Sequence, residues 1–380
     1  MTRFWVGGYG PDMDGDAAGI GVLAGDEGRE PTTLAYRGVV ARAASPSWLA
    51  RHPSLDVVYA ALEGRGAVQA FARTGDSALA PLGDPVPAGE AVCHLAVAPG
   101  GGYLIASCYG DGRVVRIGLD AQGRLGGPQV ADAAEDPYAG RDGDAWGVDT
   151  PDVGPFAGFR PTSGVSAPEV EAPPAAGDAP ARVSHAHAAA FLPDGRIATT
   201  DLGFDLVRVW RPGASGLVPD HEIVLPHGVG PRHMVVHPSG HLHVVTEYSC
   251  EVFTLSAGPD GRWRIVGATL TTPAARVGSD FPAELSRSRD GETLYAGIRG
   301  SNTIAALRVR GSGESVEPLA LADAGVDWPR HHLLHDGALL VGGQRSDRIA
   351  VLDVDERTGA PRGVRHGTAA PAPTHLLLAR

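Results

Sequence analysis

Short runs of β-branched, aromatic and small apolar residues recur along the chain, each bounded by Gly, Pro, Asp or Asn, with no sustained helical periodicity. One run followed by a turn repeats most clearly: PSWLARHP from Pro46, CHLAVAPG from Cys93, HAHAAAFLPDG from His185, PRHMVVHPSG from Pro231, AELSRSRDG from Ala283, PRHHLLHDG from Pro329 and PTHLLLAR from Pro373. Aligned on that turn, Ser47, Cys93, His187, Arg232, Glu284, Arg330 and Thr374 are equivalent, at separations of 46, 94, 45, 52, 46 and 44 residues. A second β-rich run follows each turn, as in VVYAALEG, YLIASCYG, RIATTDLG, LHVVTEYS, TLYAGIRG and LLVGGQRS, and FWVGGYG supplies one at the start of the chain. A third run such as DLVRVWRP or DRIAVLDV completes most repeats.

Repeats of this length made of short strands predict an all-β, seven-bladed β-propeller. The last copy stops after its first strand while residues 4–40 hold the strands it lacks, so the C-terminal strand is expected to pair with N-terminal strands and close the ring. The spacing predicts one domain over residues 1–380, with the doubled interval filled by a Pro/Gly/Ala-rich inserted loop at 132–182 rather than an eighth blade.

Composition narrows the partners. Fifty-three glycines, 31 prolines and 43% hydrophobic residues suit a turn-rich fold with an extended core. A net charge of −12 and a pI near 5.6 disfavour nucleic acid and anionic membrane as partners, leaving a small molecule. No apolar run has the length of a signal peptide or membrane span, so a cytoplasmic protein, monomeric or weakly homo-oligomeric, is expected. Cys93, Cys108 and Cys250 are too scattered for a disulfide framework or a CxxC zinc site.

In a propeller, equivalent inner-strand positions encircle one channel, so His187, Arg232 and Arg330 are expected to face a common space, with His233 and His331 adjacent. The ends of the second strands add Glu63, Tyr109, Asp201, Glu247, Arg299 and Gln344. Several arginines beside a histidine and a carboxylate suit a small substrate carrying carboxylate or phosphate. Equally, buried arginines and acids pair simply to satisfy each other's charge. His233 and His331 also read as packing residues, and Asp201 and Asp205 as turn residues that accept backbone amides. No GxSxG elbow, Walker loop, HExxH or dinucleotide fingerprint is present, and neither metal nor cofactor is expected.

At SHAHAAAFLPDGRIATTDLGFDLVRVW (Ser184 to Trp210), GVGPRHMVVHPSGHLHVVTEYS (Gly228 to Ser249), AELSRSRDGETLYAGIRGSNTIAAL (Ala283 to Leu307) and QRSDRIAVLDVD (Gln344 to Asp355) the chain resembles the lactonase family of seven-bladed propellers. That family includes bacterial 6-phosphogluconolactonase and the fungal carboxymuconate-lactonising enzyme. The resemblance implies His187, Arg232, Glu247 and Arg299 as catalytic residues; of the other channel positions, Arg330, His233, Tyr109, Gln344 and Asp201 are the candidates for substrate binding. It departs from the family at Cys108, where Asn usually precedes Tyr-Gly, and at Ile298, before Arg299. The implied reaction is hydrolysis of a sugar-acid lactone such as 6-phosphogluconolactone, with Glu247 or His187 as base and the arginines on the oxyanion or the anionic group. Ring closure of the muconate type on the same residues, and a non-catalytic binding propeller, are the competing expectations.

Overall fold

The computed structural model describes residues 2–25, 34–139 and 181–379, and in them the chain forms seven antiparallel sheets. Blade 1 runs Pro46–Arg51, Val57–Leu62, Ala67–Gly75 and Ala78–Pro81, with Val86–Pro87 returning to its third strand. Blades 2 to 6 open on inner strands Val92–Val97, Ala186–Phe191, Pro231–Val236, Phe281–Arg287 and Pro329–His335. Their outer strands are Leu125–Val130, Gly216–Val224, Trp263–Leu270, Ser315–Asp323 and Pro361–Ala369. Blade 7 takes its inner strand, Pro373–Ala379, from the C-terminus and the rest, Arg3–Gly8, Gly19–Gly25 and Leu34–Arg42, from the N-terminus. The two ends pair antiparallel with Phe4 opposite Leu378 and Val6 opposite Leu376, which closes the ring as the repeat count requires.

Blades stack face to face, so a strand in the middle of a blade is covered on both sides. Val57–Leu62 and Thr293–Arg299 are accordingly buried at every residue, whereas the outer strand Gly216–Val224 alternates buried and exposed. Apolar layers fill the gaps between neighbours: Tyr59, Val68, Leu104 and Ile117 lie between blades 1 and 2, and Val207, Val209, Val244 and Leu255 between blades 3 and 4. The turn residues act as their types suggest. In Leu192-Pro-Asp-Gly195 the glycine, at φ 84°, donates its N–H to Leu192 O at 3.0 Å, a left-handed position that a side chain would strain.

Blade 2 ends at Val130 and blade 3 begins at Ala186. Most of the insertion expected at 132–182, residues 140–180, lies outside the described residues; its two ends are fastened together. Arg182 binds Asp136 at 2.8 Å and also Asp205, and its guanidinium sits 5.4 Å from the Tyr138 ring centroid. Tyr138 in turn donates its hydroxyl to Leu225 O at 2.6 Å. Among the described residues no helix is long and apolar enough to cross a membrane.

Candidate active site in the channel

The site is built by an irregularity repeated in every blade. Where inner and second strands pair, one extra residue interrupts the register: between Pro46 and Trp48, Val92 and His94, Ala186 and Ala189, Pro231 and His233, Pro282 and Leu285, Pro329 and His331, and Pro373 and His375. In six blades the interruption falls beside or on the position that the sequence repeat makes equivalent, namely Ser47, Cys93, Arg232, Glu284, Arg330 and Thr374, and in blade 3 it spans His187 and Ala188. A regular strand sends consecutive side chains to opposite faces, whereas a bulge sets two residues against one and re-aims them. Two successive residues per blade can therefore contribute to the channel, which becomes two layered.

The upper layer carries the charge. Glu247 Oε2 accepts from Arg299 Nη2 at 2.7 Å and lies 2.9 Å from Arg232 Nε, an ion pair without hydrogen-bond geometry. Arg232 also donates Nη1 to Ala283 O at 2.5 Å, and Arg299 donates Nε to Phe281 O at 2.9 Å and Nη2 to Pro282 O at 3.4 Å, so both guanidinium groups are fixed in orientation. The backbone N–H of Glu247 bonds Gly230 O at 2.8 Å, tying the carboxylate to the loop that presents Arg232. Burial alone would raise the Glu247 carboxyl, but Arg299 and Arg232 overrule it and hold the group below its ordinary value. Arg299 pays in the other direction, brought down to about 10 by burial and by Arg232.

His187 is buried, and its Nδ1 has no hydrogen-bond partner among the described residues. Burial first, then the charges of Arg232 and Arg330, push its imidazolium well below the usual histidine range, so the ring is neutral at pH 7 with a vacant lone pair or proton. Thr200 couples it to the arginine: its hydroxyl donates to Arg232 O at 2.8 Å and accepts from Ala188 N at 3.0 Å. Tyr109 meets His187 edge-on at 6.2 Å and stacks on His185 at 4.3 Å.

The other sequence candidates separate by position. Arg330 lies over the Tyr9 ring, 5.0 Å from its centroid, and Tyr9 donates to both Glu63 oxygens at 3.0 and 3.1 Å. Gln344 is half-buried with its Oε1 unpartnered. Asp201 is consumed by its own turn, accepting from Ser184 Oγ, from His185 N at 2.9 Å and from Phe204 N at 3.0 Å. Asp205 likewise accepts from Gly228 N and Gly230 N, each at 2.8 Å, and so shapes the loop ahead of Arg232.

His233 belongs to the lower layer. There Trp48 fills the channel, with His375 at 4.1 Å, His94 at 4.4 Å, and His233 and His331 both at 5.5 Å between ring centroids. Glu284 sits among them, 3.3 Å from His233 Nδ1 and 3.9 Å from His331 Nε2. Burial raises its carboxyl well above the usual carboxylate range. Neither this belt nor Tyr9 follows from alternation. Tyr9 was nonetheless detectable, because FWVGGYG ends at the position that Glu63, Tyr109, Glu247 and Gln344 occupy in other blades. Among the described residues no three His, Cys, Asp or Glu side chains converge as metal ligands.

Known proteins share this architecture. The YwcC protein of Lactococcus lactis is 29% identical over 181 residues, 46% of this chain and 53% of that protein, so the alignment spans about half of its length. The 6-phosphogluconolactonase of Bacillus subtilis is 24% identical over 368 residues, 94% of this chain and 93% of its own. In fold, a Lactobacillus plantarum protein superposes with a TM-score of 0.78 at 22% identity, covering 100% of both chains. The Pseudomonas aeruginosa periplasmic gluconolactonase PpgL does so with a TM-score of 0.76 at 20% identity, covering 100% of this chain and 99% of that one. A family model described as lactonase, seven-bladed β-propeller, matches residues 3–378, and the chain belongs to that family.

Proposed function

We propose that this protein hydrolyses the lactone of an anionic sugar acid in its central channel, with 6-phosphogluconolactone the leading substrate. The observation that carries the reading is a neutral His187 with an unpartnered Nδ1, within electrostatic reach of Arg232, which Glu247 joins to Arg299. The near full-length likeness to the Bacillus subtilis enzyme supports it.

Two carboxylate-bound arginines leave N–H groups to stabilise charge that develops on a carbonyl oxygen, a contribution of roughly 3 kcal/mol in a site that excludes water. Glu247 is committed to the two arginines and serves to orient them, and His187, with its free Nδ1, takes the base role. A water oxygen forms a bond to the lactone carbonyl carbon and gives its proton to His187, while the electron pair of the C=O bond moves to oxygen opposite Arg232 and Arg299. When the carbonyl re-forms, the bond to the ring oxygen breaks and the leaving alkoxide takes the proton back from the imidazolium. The product is the open hydroxy acid, whose carboxyl then ionises into solvent.

Replacing His187 by alanine is expected to lower kcat on 6-phosphogluconolactone by about 10²- to 10⁴-fold, after subtraction of spontaneous hydrolysis and with EDTA present. Oxygen-18 from labelled water is expected in the product carboxylate. A variant with wild-type kcat removes His187 from the base role, and turnover without incorporated label excludes attack of water on the carbonyl carbon.

A further inference from the structure

The three channel arginines are not equivalent. Arg299 commits Nε and Nη2 to Phe281, Pro282 and Glu247, and Arg232 donates Nη1 to Ala283 O and is ion-paired with Glu247, so each is held by the protein and keeps only part of its donors. Arg330 has no hydrogen bond or ion pair among the described residues; the face of Tyr9 supports it, and Tyr9 is held in place by both oxygens of Glu63. Stacking of this kind fixes the plane of a guanidinium while leaving its N–H fork free for an incoming anion. Charge gives the same answer. Among the described residues, Arg232 and Arg299 both meet the carboxylate of Glu247, whereas Arg330 has no carboxylate within ion-pair distance. Burial does not discharge Arg330, because Tyr9 and Glu63 hold it above its ordinary value.

We propose that Arg330 is the anchor for a substrate carboxylate or phosphate remote from the reacting carbonyl, which leaves Arg232 and Arg299 to the carbonyl itself. This assignment rests on the channel being the lactone site. It makes Arg330 the residue that selects anionic over neutral lactones. Seating an anion there also opposes one of the charges that, after burial, depress His187, so binding of the correct substrate raises the basicity of that imidazole. The other groups whose charge reaches His187 are Arg232, His233 and His94, and none of them is neutralised by the same event.

The test is calorimetric titration of the whole protein and of Arg330→Gln and Arg330→Lys with three probes: glucose 6-phosphate, glucuronate and gluconate. The first two carry a remote phosphate or a remote carboxylate, and the third carries its carboxylate where the lactone carbonyl was. Arg330→Gln is expected to weaken whichever remote anion the wild-type protein binds by about 10- to 100-fold, and gluconate by less than threefold. Arg330→Lys should recover part of the loss, since it restores charge without the planar fork. Preference of the wild type for glucose 6-phosphate or for glucuronate identifies the anion as phosphate or carboxylate. Equal weakening of gluconate, no weakening of either remote anion, or a wild type that binds neither overturns the assignment. These titrations need no turnover, so they fail independently of the hydrolytic reading. In turnover, the acid limb of kcat should lie at higher pH than that of kcat/KM, and Arg330→Gln should narrow the gap.

Discussion

Glu247→Gln is expected to lower kcat/KM by about 10³-fold and, separately, to destabilise the fold by roughly 3 kcal/mol. Glutamine keeps the shape of the side chain and one acceptor oxygen, so the loss isolates the charge. In the native site a single oxygen, Oε2, serves both Arg232 Nε and Arg299 Nη2, and the two arginine side chains are only 5% and 6% exposed. Without the carboxylate, two buried like charges face each other with nothing between them, and removing one partner of a buried ion pair is far more damaging than never having built it. Thermal unfolding and steady-state kinetics read the two effects. A second substitution separates charge from shape: Glu247→Gln combined with Arg299→Gln should be more stable than Glu247→Gln alone, because it deletes the surplus charge, while activity stays low. A Glu247→Gln protein with unchanged melting temperature and activity would remove this carboxylate from the centre of the site.

That charge cluster was legible in the sequence only as a set of equivalent positions. The turns after Cys93, His185, Pro231, Ala283 and Pro329 mark the blades because a glycine or Asp-Gly at a tight turn is a local requirement, visible one residue at a time. Ring closure was equally legible, since the strands missing after Pro373–Ala379 are the ones present at the N-terminus. The same alignment places Glu247, Arg232 and Arg299 at the channel, where the structure brings them into contact. Which arginine is free is another matter. It depends on where the carbonyls of Phe281, Pro282 and Ala283 point, and no spacing rule carries that information. Asp201 shows the converse limit: a channel-end position whose oxygens are satisfied by Ser184, His185 and Phe204 within three elements of its own blade. The lower layer was hidden for a different reason. Two-residue alternation puts His94, His233, His331 and His375 behind the positions that precede them, and only the repeated bulge turns them into the channel beside Trp48.

Those histidines set the acid limit of the fold. Burial, the largest influence on each, lowers His94 to about 3 and holds His233, His331 and His375 well below 6.5, and it lowers buried His332, next to His331 on the strand Pro329–His335, to about 4. In the folded protein they stay neutral; in the unfolded chain each takes up a proton as pH falls through about 6.5. The unfolded state therefore binds more protons below that value, and stability falls with pH by about 1.4 kcal/mol per histidine per pH unit until the folded-state values are reached. Above about 6.5 their contribution is complete and flat. Glu284 has the opposite sign, since burial raises its carboxyl above the unfolded value, but it is one group against five. With net stabilities of domains on the order of 5–15 kcal/mol, one to two pH units below 6.5 are enough to unfold the ring. The melting temperature is expected to be level from pH 7 to 8 and to drop steeply below 6.5, with loss of structure near pH 5. His94→Phe, which keeps a ring against Trp48 while deleting one titrating group, should reduce that slope by about one proton. A melting temperature at pH 5 equal to that at pH 7.5 would mean that the belt takes up protons while folded, and that Trp48 and its histidines enclose water or an anion rather than a dry core.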